Sequence, residues 1–321
     1  MPDARKDLIK PAFKEHYEQL LGPACYEKFI TYSFAYIRKS IRANTLKISV
    51  KHLKERLRGR WELTPIPWCK EGFWIAYKGD DDQDERFDIG NLPEHALGYV
   101  YVQDAASMIP PVVLRPRPGD LVLDLCAAPG SKTSQMAAMM RNKGLIVAND
   151  LQASRLPALG INLQRVGASN VITTKMLGQR FGKKGIQFDK VLVDAPCSGT
   201  GTIRRSLKVL QMWSPKLVER LSHTQKKLIK AGYDALKPGG VLVYSTCTQE
   251  PEENEGVISW LLGQEPSAEL LDIGLDIKRS DAVSSFNRTE YHEDVRKCLR
   301  IYPQDNNTEG FFVAKIKKTT L

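Results

Sequence analysis

The 321-residue chain has no long apolar run, and this absence narrows the class of protein. No stretch approaches the roughly 18 uninterrupted apolar residues that a membrane-spanning helix requires. The first ten residues carry five charges, unlike the apolar leader of a secreted protein. The sequence therefore predicts neither a membrane span nor a secretory signal.

Cysteine and histidine are also scarce. The six cysteines lie at least 44 positions apart and form no C-x-x-C pair, and only five histidines accompany them. Closely spaced ligands are typical of zinc sites, and dense cysteines are typical of disulfide frameworks. We therefore expect no metal site, free thiols, and a reducing, cytoplasmic compartment.

The two common nucleotide-binding motifs are missing as well. A Walker loop reads G-x-x-x-x-G-K-[ST] and a dinucleotide loop reads G-x-G-x-x-G, and the chain contains neither. After the apolar run Leu121–Leu125 it reads Cys126-Ala-Ala-Pro-Gly-Ser-Lys-Thr, a turn whose small residues let a ligand approach the backbone and the next helix terminus. Asp150 ends the following strand, where an acid binds ribose hydroxyls or caps the next helix. The pattern disfavours ATP hydrolysis and hydride transfer and indicates a different small cofactor.

The sequence predicts a small N-terminal α+β module over residues 1–98 and a larger domain over residues 99–321. The predicted elements of the N-terminal module are helices over residues 11–42, a strand at Thr45–Val50, a basic helix at Lys51–Arg60, and strands at Trp61–Trp68 and Phe73–Tyr77. The polar, acidic run Gly79–Asp84 and the loop signals up to Leu97 place the boundary near residue 98.

From residue 99 onward, short apolar strands alternate with helical segments. The predicted strands are Leu121–Leu125, Leu145–Asn149, Val171–Thr174, Val191–Val193, Val241–Ser245 and Gly310–Ile316, with helices between the first five. This alternation predicts an α/β fold with a Rossmann-like, doubly wound, mostly parallel sheet. Leu299–Tyr302 and Phe311–Ile316 predict a closing hairpin that gives the sheet an antiparallel edge. Ligands of such sheets bind beyond the carboxyl ends of the strands.

Two cysteines follow predicted strands of this sheet. Cys197 lies in Asp194-Ala-Pro-Cys and Cys247 in Ser245-Thr-Cys-Thr, so both thiols should open onto the ligand side. A lone cysteine is usually a small buried hydrophobe. We keep that interpretation for Cys25, Cys69 and Cys298. A thiolate can add to C6 of a pyrimidine and leave again, and the addition makes C5 nucleophilic towards a sulfonium methyl donor. Asp194 could hold the base near N3, and the second thiol or a nearby base could help to remove the C5 proton.

Four segments in the right order resemble the Sun/Nop family of RNA cytosine-5 methyltransferases. They are Asp124-Leu-Cys-Ala-Ala-Pro-Gly-Ser-Lys-Thr, Asp194-Ala-Pro-Cys-Ser-Gly-Thr-Gly, Lys237-Pro-Gly-Gly with Tyr244-Ser-Thr-Cys-Thr, and Glu309-Gly-Phe-Phe-Val-Ala. Ser40-Ile-Arg-Ala-Asn-Thr-Leu-Lys and Gln103-Asp-Ala-Ala-Ser are similar to less distinctive N-terminal segments of the family.

The resemblance implies an enzyme with S-adenosylmethionine as cofactor and a role for each motif. Cys247 would attack C6, Asp194 would position the cytosine, and Cys197 would assist release of the product. The implied cofactor-binding residues are Cys126, Ala127, Ala128, Pro129, Gly130, Ser131, Lys132, Asp150, Arg155 and Asp194. One position departs from the family: Leu177 stands where relatives usually have an Asp, and it cannot accept a hydrogen bond from the adenine amino group. Lower cofactor affinity, a substitute acceptor such as Gln179, or a contact supplied by a partner would each fit this departure.

The basic side chains fit an RNA partner. Lys and Arg outnumber Asp and Glu by 47 to 37, which gives a formal charge of +10. Arg38–Arg60 holds nine basic residues and one acid, and Arg204–Lys237 holds nine and two. Such blocks also occur on solvated helices. The side chains expected to contact RNA phosphates are Arg38, Lys39, Arg42, Lys51, Lys54, Arg58, Arg204 and Arg205.

Three alternatives stay open. DNA cytosine-5 methyltransferases attack with a thiol like that of Pro196-Cys197, so this dipeptide alone would select Cys197 as the nucleophile. An RNA-binding assembly factor of the same fold would fit the Leu177 departure, although the retained cysteines disfavour it. A small-molecule methyltransferase would leave the charge and the N-terminal module without a purpose. We therefore expect 5-methylcytidine formation in tRNA or ribosomal RNA.

Overall fold

The computed structural model of the chain describes residues 7–79 and 89–320. Most of the polar run Gly79–Asp84 lies outside these residues. In the described ranges, no helix is both long and apolar enough to cross a membrane.

Two helices open the described chain, α1 (Pro11–Leu21) and α2 (Pro23–Phe34). Each has a proline in its first turn, where the missing N–H costs no hydrogen bond. Their buried aromatic residues pack against Ile203, Leu210 and Trp213 of the C-terminal half. The N-terminal helices are therefore part of the packing of the larger domain.

His16 on α1 joins this helix to the loop that follows Cys247. Its Nε2 lies 2.7 Å from Oε2 of the fully buried Glu250, which also accepts hydrogen bonds from Tyr17 (2.6 Å) and Trp213 (2.9 Å). Burial disfavours the imidazolium, but the hydrogen bond and charge of Glu250, with the charge of Glu252, outweigh burial and raise the pKa of His16. The imidazole therefore keeps its proton to a higher pH than a free histidine, whose pKa is 6.5.

We expect this ion pair to make the stability of the protein depend on pH. Because the folded pKa of His16 lies above its ordinary value of 6.5, the stabilisation is complete below that value and is lost as pH rises through the folded pKa. Urea unfolding at several pH values measures the difference in the free energy of unfolding between wild type and His16→Gln. The difference should shrink as pH rises, and a constant difference across this window would contradict the prediction.

A small antiparallel sheet follows, with strand order β2-β3-β1-β4. Its strands are β1 (Ser40–Ala43), β2 (Trp61–Ile66), β3 (Cys69–Tyr77) and β4 (Val100–Val102). Two helices lie between these strands in the chain, α3 (Val50–Leu57) and α4 (Pro93–Ala96). The strand predicted at Thr45–Val50 is wrong: the carbonyl of Asn44 accepts the N–H groups of Lys47 and Ile48 and turns the chain. The small sheet extends to Val102, beyond residue 98, and the boundary at 98 remains a prediction.

The remaining elements build an eight-stranded sheet with helices on both faces. They are α5 (Ile109–Leu114), β5 (Leu121–Asp124), α6 (Ser131–Met139), β6 (Leu145–Asn149), α7 (Leu156–Val166), β7 (Val171–Thr174), β8 (Phe188–Asp194), α8 (Lys208–Met212), α9 (Pro215–Asp234), β9 (Leu236–Thr246), α10 (Glu255–Gln264), β10 (Ala268–Leu271), β13 (Leu299–Ile301), α11 (Pro303–Asn306) and β14 (Phe311–Lys318), with the separate short hairpin β11 (Ser285–Phe286) and β12 (Thr289–Glu290).

The sheet confirms the predicted doubly wound fold. Its main order is β10-β14-β9-β8-β5-β6-β7; β5 to β9 run parallel, and β14 is antiparallel to β9. The predicted closing hairpin is present as β13 paired antiparallel with β14, and β10, which was not predicted, also pairs antiparallel with β14. A 3-10 segment, Gly178–Lys183, connects β7 to β8 where a helix was expected. Its first glycine packs against α9 so closely that an added Cβ would lie 2.6 Å from Leu228.

A fully buried ion pair links β13 to α10. Arg300 Nε donates to Glu255 Oε1 at 2.8 Å, Nη2 contacts Glu255 Oε2 at 2.5 Å, and Nη1 donates to the Gln249 carbonyl at 2.9 Å. These contacts place the segment after Cys247 against the closing hairpin.

Removing one member of this pair should strongly destabilise the fold. Arg300→Met leaves the Glu255 carboxylate buried without its partner, which costs about 3–5 kcal/mol. Urea unfolding measures the free energy of unfolding, and Arg300→Met/Glu255→Leu is the matched variant that leaves no unpaired charge. The double variant should recover much of the loss, whereas equal stability of wild type and Arg300→Met would contradict the prediction.

Candidate active site

The chain reverses its direction across the sheet between β5 and β8, and the candidate site lies at the carboxyl ends of these strands. From β5 the chain moves outward to β6 and β7, and from β8 it moves to β9 on the other side. This switch point leaves a crevice in which ligands of doubly wound sheets bind. Two cavities open here, both lined by Asp194 and Cys247.

The two strand-end cysteines come together. The Sγ atoms of Cys197 and Cys247 lie 3.4 Å apart, within hydrogen-bond distance for sulfur, and both residues are partly buried. The hydrogen bond with Cys247 and burial raise the pKa of Cys197 well above its ordinary value. Cys197 is therefore a protonated thiol at neutral pH when Cys247 is beside it. Cys69 and Cys298 are buried as expected, but Cys25 is exposed on α2.

Asp194 forms an ion pair with Lys132. Lys132 Nζ lies 2.8 Å from Asp194 Oδ2 and donates to Ser107 Oγ at 3.0 Å, while Ser245 Oγ donates to Asp194 Oδ1 at 2.7 Å. Burial disfavours the ammonium, but the charge and hydrogen bond of Asp194, then the charge of Cys247, outweigh burial and raise the pKa of Lys132. The lysine predicted as a cofactor ligand therefore faces the predicted catalytic groups.

The first cavity, about 310 Å³, lies over the carboxyl ends of β5 and β6. Asp150 lines it, with its carboxylate held by the N–H groups of Gln152 (2.9 Å) and Ala128 (3.2 Å) and by Arg155 Nη1 at 3.3 Å. Arg155 also donates to the Ala128 carbonyl. These contacts fix the carboxylate and leave lone pairs for ribose hydroxyls.

The loop after β5 divides its residues between the two cavities. Cys126 and Ala128 line the first cavity, whereas Pro129, Ser131 and Lys132 line the second, together with Ala128. Ala127 and Gly130 lie outside the lining residues of both among the described residues. Gly130 instead shapes the loop, because its φ of 102° suits glycine and an added Cβ would lie 2.9 Å from Leu159.

The 3-10 segment forms another wall of the first cavity. Leu177 is 43% exposed and lies outside the lining, whereas Gly178 and Gln179 are part of it. Gln179 is therefore placed to offer an amide oxygen in this cavity. Apolar side chains of Leu125, Leu151 and Leu228 complete a lining that suits a nucleoside with an apolar ring face and polar edges.

The second cavity, about 450 Å³, holds two acids to which the sequence analysis gave no role. Asp104 and Glu309 are buried and line it together with Lys132, Arg205 and Cys247. Burial and the charge of Asp104 raise the pKa of Glu309 to about 8, and burial raises the pKa of Asp104. The only sequence signal was their place in Gln103-Asp-Ala-Ala-Ser and Glu309-Gly-Phe-Phe.

The predicted RNA contacts divide by exposure. Arg38, Lys39, Lys51, Lys54, Arg58 and Arg205 are exposed. Arg204 is half-buried and donates to the carbonyls of Tyr36 (2.5 Å) and Thr308 (3.1 Å). Arg205 Nε lies 2.9 Å from Glu309 Oε1.

The expectation for Arg42 is wrong, because this side chain is buried. Only 2% of Arg42 is exposed; Nη1 donates to the Ser131 carbonyl and Nη2 to Ser134 Oγ, both at 2.8 Å. β1 lies inside the small sheet, and the guanidinium points to the start of α6. Arg42 therefore fixes the small sheet to the loop after β5 and cannot reach a phosphate.

The fold and the crevice with paired thiols define the class as a methyltransferase. The chain belongs to the RsmB/F family: the model described as 16S rRNA methyltransferase RsmB/F matches residues 111–317. A second model, the N-terminal domain of 16S rRNA methyltransferase RsmF, matches residues 9–105. The resemblance to the Sun/Nop RNA cytosine-5 methyltransferases is confirmed, and with it the expected class of enzyme.

Individual relatives support the same family. A tRNA (cytosine(49)-C(5))-methyltransferase of Pyrococcus abyssi is 47% identical over 91% of this chain and 92% of its own length. Ribosomal RNA small subunit methyltransferase F of Shewanella oneidensis is 44% identical, and the match covers 94% of this chain and 62% of that protein.

Two crystal structures from Pyrococcus horikoshii share the architecture. A methyltransferase homologue superposes with a TM-score of 0.85 at 37% identity, over 99% of this chain and 100% of that one. NSun6 with SFG, an analogue of S-adenosylmethionine, gives 0.82 at 26% identity, over 97% and 99% of the two chains.

Proposed function

We propose that the protein makes 5-methylcytidine in tRNA, with S-adenosylmethionine in the first cavity and the target cytosine in the second. The observation that carries this proposal is the meeting of both cavities at Asp194 and Cys247, with the Cys197 sulfur 3.4 Å from that of Cys247. The methyl donor in the first cavity and the base in the second would both lie beside Asp194 and Cys247.

The first cavity fits S-adenosylmethionine by its donor set. Asp150 would accept hydrogen bonds from the ribose hydroxyls, and the Gln179 amide oxygen would accept one from the adenine amino group in place of the usual acid. Cys126 and Ala128 would line the part of the cavity that holds the methionine moiety. When bound, the cofactor supplies a methyl group on a sulfonium sulfur, which is open to attack by a carbon nucleophile. The NSun6 structure with SFG supports this assignment.

Cys247 would be the nucleophile, as the family resemblance implies. Cys197 holds its proton and can donate to the Cys247 sulfur, and the Lys132 ammonium is close enough for its pKa to respond to the charge of Cys247. The reactive form of a cysteine nucleophile is the thiolate. The Cys247 sulfur would add to C6 and make C5 the attacking carbon.

Asp194 would position the cytosine. Ser245 and Lys132 hold its two carboxylate oxygens, so its orientation is fixed before the substrate arrives. A carboxylate that is preorganised in this way needs no reorganisation when the base binds. Cys197 would then assist release, as the family resemblance implies. Because both thiols must stay reduced, the proposal includes a reducing compartment, the cytoplasm.

The exposed basic side chains would hold the RNA around the second cavity. A target cytosine must leave its stack to reach a strand-end thiol, so the backbone on both sides needs support. Lys51, Lys54 and Arg58 lie on or beside α3, and Arg38 and Arg205 approach the cavity that holds Asp104. The two basic blocks would flank the crevice.

RNA affinity should fall steeply with salt. With about six phosphates neutralised, affinity falls about 10³-fold between 50 and 200 mM salt. Fluorescence anisotropy with labelled tRNA measures how steeply the logarithm of the affinity falls with the logarithm of the salt concentration. Lys54→Gln/Arg58→Gln should reduce this slope by about two, because two phosphate contacts are lost. Arg141→Gln/Lys143→Gln, which changes two exposed basic residues before the amino end of β6, is the matched control. A flat salt response would contradict RNA docking through these residues.

The relative matched over nearly its whole length favours tRNA over ribosomal RNA as the substrate. The test is transfer of tritiated methyl groups from S-adenosylmethionine into total tRNA and, separately, ribosomal RNA, followed by nucleoside analysis. We expect 5-methylcytidine in tRNA. Label in ribosomal RNA alone would overturn the proposed substrate, and RNA binding with no label in either would favour the assembly-factor alternative.

A further inference from the structure

A buried polar pair brackets the Cys197 peptide. Gln225 on α9 donates from Nε2 to the Pro196 carbonyl at 2.9 Å and to Glu253 Oε2 at 2.6 Å. The same carboxylate oxygen of Glu253 accepts the N–H of Ser198 at 3.1 Å. Gln225 and Glu253 are both 0% exposed. The backbone is thus anchored on both sides of the cysteine by one amide and one carboxyl group.

The bracketed loop is also tied to the loop of the second thiol. Ser198 Oγ lies 2.7 Å from Thr248 Oγ1, and Thr200 Oγ1 lies 2.9 Å from the same atom. The N–H of Gly201 donates to the Cys247 carbonyl at 2.9 Å. The relative position of the two sulfurs therefore depends on one continuous buried network.

The network reaches the first cavity through Pro196, whose carbonyl accepts the hydrogen bond from Gln225. In the described part of the chain, Gln225 and Glu253 lie outside the residues that line the two cavities. Burying an amide and a carboxyl costs more than burying apolar side chains of the same size. Burial also raises the pKa of Glu253 to about 8. Apolar side chains here would leave the Pro196 carbonyl and the Ser198 N–H without these partners, so the polar pair fixes the backbone on both sides of Cys197.

We propose that Gln225 and Glu253 are positioning residues for Cys197, which hold its sulfur beside that of Cys247 and so set the rate at which methylated RNA is released. This inference rests on the proposed function, in which Cys247 forms the covalent bond and Cys197 assists its breakage. Release transfers the C5 proton to solvent water, turns the C5–H electron pair into the C5–C6 double bond, and returns the C6–S electron pair to Cys247, whose leaving sulfur accepts a hydrogen bond from the Cys197 thiol. Displacement of Cys197 by about 1 Å is enough to slow such a step up to about a hundredfold.

The test separates formation of the covalent RNA adduct from its breakdown. Each variant is mixed with tRNA and S-adenosylmethionine, quenched in denaturant, and the protein–RNA adduct is followed on denaturing gels. With Glu253→Ala and Gln225→Met we expect adduct formation within about threefold of wild type and an adduct lifetime about ten to a hundred times longer. Glu253→Gln keeps an oxygen that accepts both hydrogen bonds and should restore release.

The controls make each outcome decisive. Glu269→Gln makes the same substitution at an exposed position on β10 and should behave as wild type. Equal losses in adduct formation and release, or failure of Glu253→Gln to the same extent as Glu253→Ala, would overturn the positioning role. If Glu253→Ala does not fold, Gln225→Met carries the test alone. Absence of any adduct in Cys197→Ala would instead count against the proposed function, which separates the two failures.

Discussion

Cys247→Ala is expected to abolish 5-methylcytidine formation, with a fall in rate of about 10⁴-fold or more, the scale seen when a catalytic nucleophile is removed. Alanine cannot add to C6, so C5 never becomes nucleophilic enough to take the methyl group. The remaining groups still bind the base and the cofactor, so RNA affinity should change little. Tritium transfer into tRNA and anisotropy on the same preparation measure both quantities.

The control for this result is Cys25→Ala. Cys25 is exposed on α2, so its removal tests general sensitivity to loss of a thiol. Near wild-type methylation by Cys247→Ala would show that our nucleophile is wrong and would favour Cys197, as the Pro-Cys dipeptide alone suggests. Loss of RNA affinity in Cys247→Ala would point to a folding defect, which thermal unfolding would reveal.

Cys197→Ala is expected to give the opposite signature, a covalent RNA adduct that accumulates while turnover stops. Cys247 can still attack and the methyl group can still transfer, because Asp194 and Lys132 are held by contacts that do not involve Cys197. The adduct then persists because the second thiol no longer assists its breakdown. Denaturing gels measure the bound RNA, and nucleoside analysis measures free product.

The double variant Cys197→Ala/Cys247→Ala shows which sulfur carries the RNA. It should form no adduct, since the attacking thiol is absent. An adduct in the double variant would mean that another nucleophile reacts. Normal turnover by Cys197→Ala would mean that this thiol has no part in release, although its sulfur lies 3.4 Å from that of Cys247.

Much of the fold could be predicted because apolar strands and helical spacing are local patterns. The strands Leu121–Asp124, Leu145–Asn149 and Val171–Thr174 lie within a residue of their predicted bounds. The strand at Thr45–Val50 was wrong because β propensity says nothing of the turn set by Asn44. The short connection Gly178–Lys183 likewise depends on close packing against α9.

The sequence predicted the site residues that lie at the ends of strands, but not the contacts of the other residues around them. Asp150, Asp194, Cys197 and Cys247 follow strands, and parallel strands bring such residues to one edge. Arg42 shows the limit, because nine basic residues in one block do not say which points inward. Lys132 shows the same limit, because its place in a motif does not reveal that its ammonium forms an ion pair with Asp194.

The sequence by itself determined the class of fold, the strand-end chemistry and the charge that an RNA partner needs. The tertiary structure alone decided that two thiols fifty positions apart lie 3.4 Å from each other, that two cavities meet beside them, and that Gln225 and Glu253 anchor the Cys197 loop. The physical reason is that periodicity and motifs are properties of neighbouring residues. Distances across a sheet depend on the strand order and on side-chain packing, which bring together residues remote in the chain.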